Sequence, residues 1–116
     1  MNTKEQPPLF IPLCREWFEK FERGEKTTEF RIYGPRWNER TCAPGRSVTL
    51  SLGYGKRRRI CGTIKGIRMF HESQLPATEW IFFYEKLKSR ITQTVFLAIT
   101  IETKKKIPRS NSRERD

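Results

Sequence analysis

Across Gly24 the hydrophobic period of the chain changes from helical to alternating, and that switch limits the fold more than any other feature. Cys14, Trp17, Phe18 and Phe21 recur at helical spacing and make one apolar stripe, with Glu16, Glu19, Lys20 and Glu22 opposite. The spacing predicts a helix over Arg15–Arg23, ended by Gly24 in a left-handed conformation. A strand over Thr27–Tyr33 follows at once. Thr28, Phe30 and Ile32 would enter a core; Thr27, Glu29, Arg31 and Tyr33 would line the opposite face, with Lys26 at its root. Glu29 and Arg31 then lie about 7 Å apart, two residues at ~3.3–3.4 Å each. Three ionisable groups of mixed sign on a rigid element can bind a phosphate or a base edge, with Glu29 accepting from a base amine. If burial shifts their pKa values they can also do acid–base work, which makes Lys26 and Glu29 the catalytic candidates. The plainer reading is a salt-bridged strand in which Glu29 only orients Lys26 and Arg31.

The rest of the chain supplies a small barrel around this strand. Leu9–Leu13 reads as a short apolar strand, and Pro12 places it at a sheet edge. Residues 34–45 form a loop with Gly34-Pro35 and Pro44-Gly45 as turns. It carries Arg36, Arg40 and Trp37, and Trp37 is either a base-stacking platform or a lid folded back on the core. In Ser47–Leu52, Val48, Leu50 and Leu52 alternate inward and Ser47, Thr49 and Ser51 outward. A turn at Gly53-Tyr54-Gly55 leads to Lys56-Arg57-Arg58-Arg59 and a strand with Ile60, Gly62 and Ile64 in phase. The apolar phase then moves to Ile67 and Met69, which predicts a β-bulge near Gly66. Phe70–Pro76 reads as a connection. A second helix is expected from Ala77 or Thr78 to about Ser89, with Trp80, Ile81, Tyr84 and Leu87 on its apolar side. Thr94–Thr103 is apolar on both faces and reads as a buried strand.

The pattern Gly24-x-Lys26-x-x-Glu29-x-Arg31, at a helix-to-strand junction, resembles the signature of the ASCH domain family, and the resemblance extends over roughly Leu9–Thr103. It implies an α+β fold: a small PUA-like mixed β-barrel of about five to six strands with two main helices. It also implies that the motif lies in a cleft across the barrel and that the chain is an RNA-binding module. Some family members resemble ribonucleases. Others are amidohydrolases acting on acetylated cytidine, with a lysine, a threonine three residues later and a distant glutamate. Lys26 matches the lysine, but Glu29 stands where that threonine would be. A hydrolase is thus the alternative expectation.

Charge points to the same partner class. Lysine and arginine number 24 against 13 aspartates and glutamates, a net charge of +11. Residues from Lys104 onward hold six basic and two acidic side chains, so most of the excess belongs to the body of the chain. RNA or another polyanion is the natural partner. The Lys56, Arg57, Arg58 and Arg59 hairpin offers charge-assisted phosphate contacts, and Tyr54, Tyr33 and Trp37 offer rings for unpaired bases. The plain alternative for the hairpin is a solvated turn whose charges protect a sheet edge. Cys14, Cys42 and Cys61 form no CxxC pair and His71 is not near one, so no metal and no cofactor is expected. Cys14 and Cys61 read as buried and Cys42 as an accessible loop thiol. The cysteine usage suggests a reducing, cytoplasmic setting, and no apolar run approaches the ~20 residues of a membrane span. The expected organisation is an arm over 1–8, a domain over 9–103 and a basic, disordered tail over 104–116, as a monomer.

Overall fold

The computed structural model describes residues 6–104. Residues 1–5 of the expected arm and 105–116 of the expected tail lie outside the described residues; Pro7, at the arm's end, accepts two hydrogen bonds from Arg46 through its carbonyl. The elements run β1 (Leu9–Leu13), α1 (Arg15–Glu22), β2 (Thr28–Ile32), β3 (Ser47–Leu52), β4 (Arg59–His71), α2 (Ala77–Leu87) and β5 (Val95–Thr103), with 3₁₀ turns at Glu72–Gln74 and Lys88–Gln93. The five strands make one sheet in the order β1-β3-β4-β5-β2, curled into a half-barrel. β1 pairs in parallel with β3, and the other pairings are antiparallel.

Two apolar clusters divide along this sheet. The first fills the barrel: Ile11, Phe18, Phe21, Leu50 and Ile64 pack there with Leu97, Ile99 and Ile101 of β5. The second lies under α2, where Phe83 and Leu87 cover Phe70, Phe96 and Ala98. Alternate residues of β5 therefore serve opposite cores, which is why the strand is apolar on both faces.

The bulge falls where the apolar phase slips, between Ile64 and Gly66. It lets one long strand serve both clusters: Ile64 and Ile67 pack with the first, and Phe70 with the second. Phe70 is thus the last core residue of β4 rather than part of a connection, and Met69 faces solvent. At Gly62 the β5 backbone crowds β4. A Cβ there would stand 2.8 Å from the Glu102 carbonyl oxygen, so only glycine fits the crossing.

Several expected orientations change. The buried stripe of α2 is Glu79, Phe83 and Leu87; Ile81 and Tyr84 face solvent. Its apolar residues, Phe82 among them, spread over more than half of the helix circumference, so the period does not select one narrow face. Ser51 is buried, its hydroxyl donating to the Gly55 carbonyl at 3.2 Å. Cys14 and Cys61 are exposed, whereas Cys42 is fully buried in the barrel core. Cys14 only precedes the helix, and Cys61 falls on the outward face of β4.

Candidate functional site

The cap of α1 creates the site. Gly24 takes φ 79°, the Gly24 amide bonds the Phe21 carbonyl at 3.1 Å, and the Glu25 amide bonds that of Lys20 at 2.8 Å. These two bonds satisfy helix-end carbonyls and fold the chain back beneath α1. Lys26 is thereby directed under the helix, its Nζ 4.8 Å from the Trp17 ring centroid and 5.8 Å from that of Phe21.

β2 then runs beside β5, with Glu29 opposite Ile99 and Arg31 opposite Leu97. Opposed residues in an antiparallel pair share a face, so the charged side of β2 looks toward the barrel core, not toward bulk water. Phe30 and Ile32 pack against the cluster under α2. Glu29 is more buried than either, because both faces of the strand are covered.

A four-membered charge network results. Lys26 Nζ donates to Glu79 Oε2 at 3.0 Å and lies 3.7 Å from Glu29 Oε1. Arg31 Nη2 pairs with Glu29 Oε2 at 3.0 Å and donates to the Pro12 carbonyl at 2.9 Å. That last bond links β2 to β1, the two edge strands of the sheet, across the seam of the half-barrel. The Lys26, Glu29 and Glu79 side chains are only 10%, 8% and 7% exposed. Two cations and two carboxylates balance, which is the condition for burying them together. Glu29 Oε1 and Arg31 Nε have no hydrogen-bond partner within the protein.

Burial pushes the Glu29 carboxyl above the usual carboxylate range. The pull of Arg31 and Lys26 opposes this, and Glu79 adds to it. A carboxyl raised in the folded state holds its proton more tightly there than in the unfolded chain. Its stabilisation is therefore fully present below the unfolded value of 4.5 and is lost as pH rises through the folded value. Glu29→Gln is expected to remove this loss. In denaturant unfolding from about pH 4 to about pH 8, the variant should gain on the wild type as pH rises. A wild type that instead gains on the variant would mean that Arg31 and Lys26 outweigh burial.

Glu79 and Trp17 belong to the candidate site, although sequence reasoning passed over the first and placed the second in the core. Glu79 shares the 79-83-87 stripe of α2 with two buried apolar residues, and a charge in phase with a core stripe was the available signal. Its position in the first turn also suits a carboxylate at the positive end of a helix.

The other expected residues divide between separate places. Trp37 packs against the barrel core as a lid, and its ring already carries the Arg31 and Arg36 guanidiniums at 4.8 and 5.4 Å. Buried Asn38 organises this loop: its amide nitrogen donates to the Gly34 carbonyl, and its side-chain oxygen accepts from the amides of Arg40 and Thr41. The Tyr33 hydroxyl donates to Glu39 Oε1 at 2.5 Å. This bond raises the tyrosine pKa and lowers that of Glu39.

Arg31, Trp17 and Trp37 line a cleft of about 240 Å³ together with Cys14, Phe82 and Lys86. The arginine hairpin lines a different cleft, about 520 Å³, where Arg57 and Arg58 face Arg15. Arg58 bonds Glu22 at 2.7 Å and lies 3.7 Å from Glu19, both on α1. Lys56 and Arg57 remain exposed and without a carboxylate partner among the described residues. His71 ends β4 at the surface. Among the described residues no cluster of His, Cys, Asp or Glu could hold a metal, and no helix is long and apolar enough to cross a membrane.

No family model matches the chain, and no curated protein does. Solved structures do. The hypothetical protein PH0355 is 20% identical with a TM-score of 0.62, over 84% of this chain and 100% of that one. Protein PF0455 from Pyrococcus furiosus is 21% identical with a TM-score of 0.53, over 84% and 97%. A tyrosine-to-phenylalanine mutant of ZmASCH from Zymomonas mobilis is 13% identical with a TM-score of 0.53, over 92% and 82%. At these identities the likeness is one of fold.

Proposed function

We propose that this chain, which has the ASCH-like fold, is a module that binds single-stranded RNA. The cleft above Arg31 takes a base or sugar and the basic hairpin takes phosphates. One observation carries the reading: the Arg31 cleft combines a cation, two tryptophan walls and an exposed lysine. Aromatic faces and cations in one concavity suit an unstacked nucleotide. At about 240 Å³ the cleft is below the ~300–1,000 Å³ typical of sites that engulf a free small molecule. That size suits one unit of a longer chain.

In this scheme Lys26, Glu29 and Glu79 form the buried support that aims Arg31. Arg31 and Arg36 meet the nucleotide, with the Arg36 guanidinium supported on Trp37. Lys56 and Arg57 are the hairpin cations available to phosphates. Arg58 is committed to α1, and Tyr33 braces the loop.

The test is a titration of labelled single-stranded RNA at several salt concentrations. Lys56→Ala/Arg57→Ala is expected to lower the slope of log affinity against log salt by about 1.4, at ~0.7 per phosphate contact on a single strand. Unchanged slope and affinity would remove the hairpin from the site, and absence of binding by the wild type would remove the function.

One observation favours a second reading, the amidohydrolase. Glu79 meets Lys26 at 3.0 Å, as a distant glutamate paired with the lysine would. Glu29 still occupies the place of the threonine, and Lys26 is held by two carboxylates. Turnover of acetylated cytidine that disappears in Lys26→Ala would put this reading first.

A further inference from the structure

A cleft of about 570 Å³ lies between the last turn of α1, the start of β4 and the end of β5, and it shares no lining residue with the Arg31 cleft. Arg59 and Lys104 line it, with half-buried Ile60 as an apolar floor over the buried Phe21 ring. The Lys104 amide donates to the Cys61 carbonyl at 2.8 Å, which fixes where the chain leaves β5. Two further lysines, Lys105 and Lys106, follow in the sequence.

Arg59 connects this groove to the hairpin. Its Nε and Nη2 donate to the Gly55 carbonyl, and its guanidinium lies 5.3 Å from the Phe10 ring. The Phe10 ring is in turn 6.0 Å from that of Tyr54, which is 79% exposed. The nearby acids are already engaged. Glu22, in the groove wall, is bonded to Arg58 at 2.7 Å, and Glu102 is 3.3 Å from Lys65. Arg59 and Lys104 have no carboxylate partner among the described residues. The path from Tyr54 through Arg59 to Lys104 is therefore cationic, with an exposed ring at one end and an apolar floor at the other.

We propose that this groove is the track along which a single RNA strand runs from Tyr54 past Arg59 to Lys104, so that the ligand is an oligonucleotide and not a free nucleoside. This rests on the RNA-binding reading above and specifies its substrate class. The cations offset phosphates, the tyrosine stacks a base, and the floor accepts sugar or base edges. An acidic peptide would satisfy the cations but leave the ring and floor unused.

The test uses fluorescence anisotropy with labelled oligouridylates of about two and about ten nucleotides over a salt series. The wild type is expected to hold the longer strand at least about tenfold more tightly. Arg59→Ala/Lys104→Ala should lower its salt slope by about 1.4, at ~0.7 per phosphate, and leave the shorter strand unaffected. Arg59→Lys/Lys104→Arg should restore the slope. Tyr54→Ala should weaken the longer strand about tenfold with the slope unchanged. All three positions are exposed, and far-UV circular dichroism would verify that each variant is folded. Equal wild-type affinity for both lengths, or a slope unmoved by Arg59→Ala/Lys104→Ala, would overturn the groove while leaving RNA binding in place. Failure of the wild type to bind either strand would overturn both. Competition by polyglutamate as effective as by polyuridylate would reassign the groove to an acidic protein.

Discussion

Replacing Lys26 by methionine is expected to cost the fold about 3–5 kcal/mol at neutral pH, the usual penalty for stripping one partner from a buried ion network. Methionine matches the length of the side chain but not its charge. Glu79 would lose its hydrogen-bonded partner at 3.0 Å, and Glu29 would keep only Arg31. Both carboxylates are more than nine-tenths buried, so neither can recover the loss from water. The favourable position of the ammonium over Trp17, 4.8 Å away, would also go. Glu29 is already pushed toward its protonated form. The deficit should therefore shrink as pH falls, because a neutral Glu29 needs no cation. Lys26→Met/Glu79→Gln should recover more than half the loss by removing the orphaned charge. Guanidinium unfolding followed by tryptophan fluorescence reads all three proteins. A loss under about 1 kcal/mol for the single variant would mean that the network is hydrated and not a buried support.

Arg31→Leu is expected to cost about 2–4 kcal/mol, through two contacts that converge on one nitrogen. Arg31 Nη2 both pairs with Glu29 and donates to the Pro12 carbonyl, joining the two sheet edges. Proline cannot donate, so the carbonyl is what β1 offers at that position, and leucine leaves it unpaired at the seam. Glu29 would retain only Lys26, at 3.7 Å. Arg31→Lys should recover part of the charge pairing but not the guanidinium contact with the Trp37 ring, and should fall between leucine and wild type. Hydrogen exchange should report faster opening of β1 and β2 than of β4 and β5 in the leucine variant. Unfolding at the wild-type denaturant concentration would show that the seam is held by something other than this side chain.

The positions of most elements were legible because each has a local cause. The stripe Trp17, Phe18 and Phe21 with Gly24 as its stop accounts for α1, and the slipped phase around Gly66 accounts for the bulge. Alternation on both faces of Val95–Thr103 marks a strand shared by two cores. Orientation was less legible where apolar residues spread over most of a helix's circumference. In α2 Ile81 is as hydrophobic as Phe83 and Leu87, the Tyr84 ring is largely apolar, and only packing against the sheet chooses between them. The exposed thiols of Cys14, at the start of α1, and Cys61, within β4, and the buried thiol of loop residue Cys42 show the same ambiguity for a small side chain.

The chain by itself determined that Lys26, Glu29 and Arg31 stand at one helix-to-strand junction, since neighbours in sequence are held together by the covalent backbone. Whether that trio meets water or a core is a matter of what the distant segments do. Glu79, 53 residues beyond Lys26, and the Pro12 carbonyl on the opposite sheet edge convert a charged strand face into a buried, balanced network. The tertiary structure likewise separates the arginine hairpin from the Arg31 cleft and brings Arg59 together with the end of β5. Burial and charge pairing depend on distance in space, which the sequence encodes only through the completed fold.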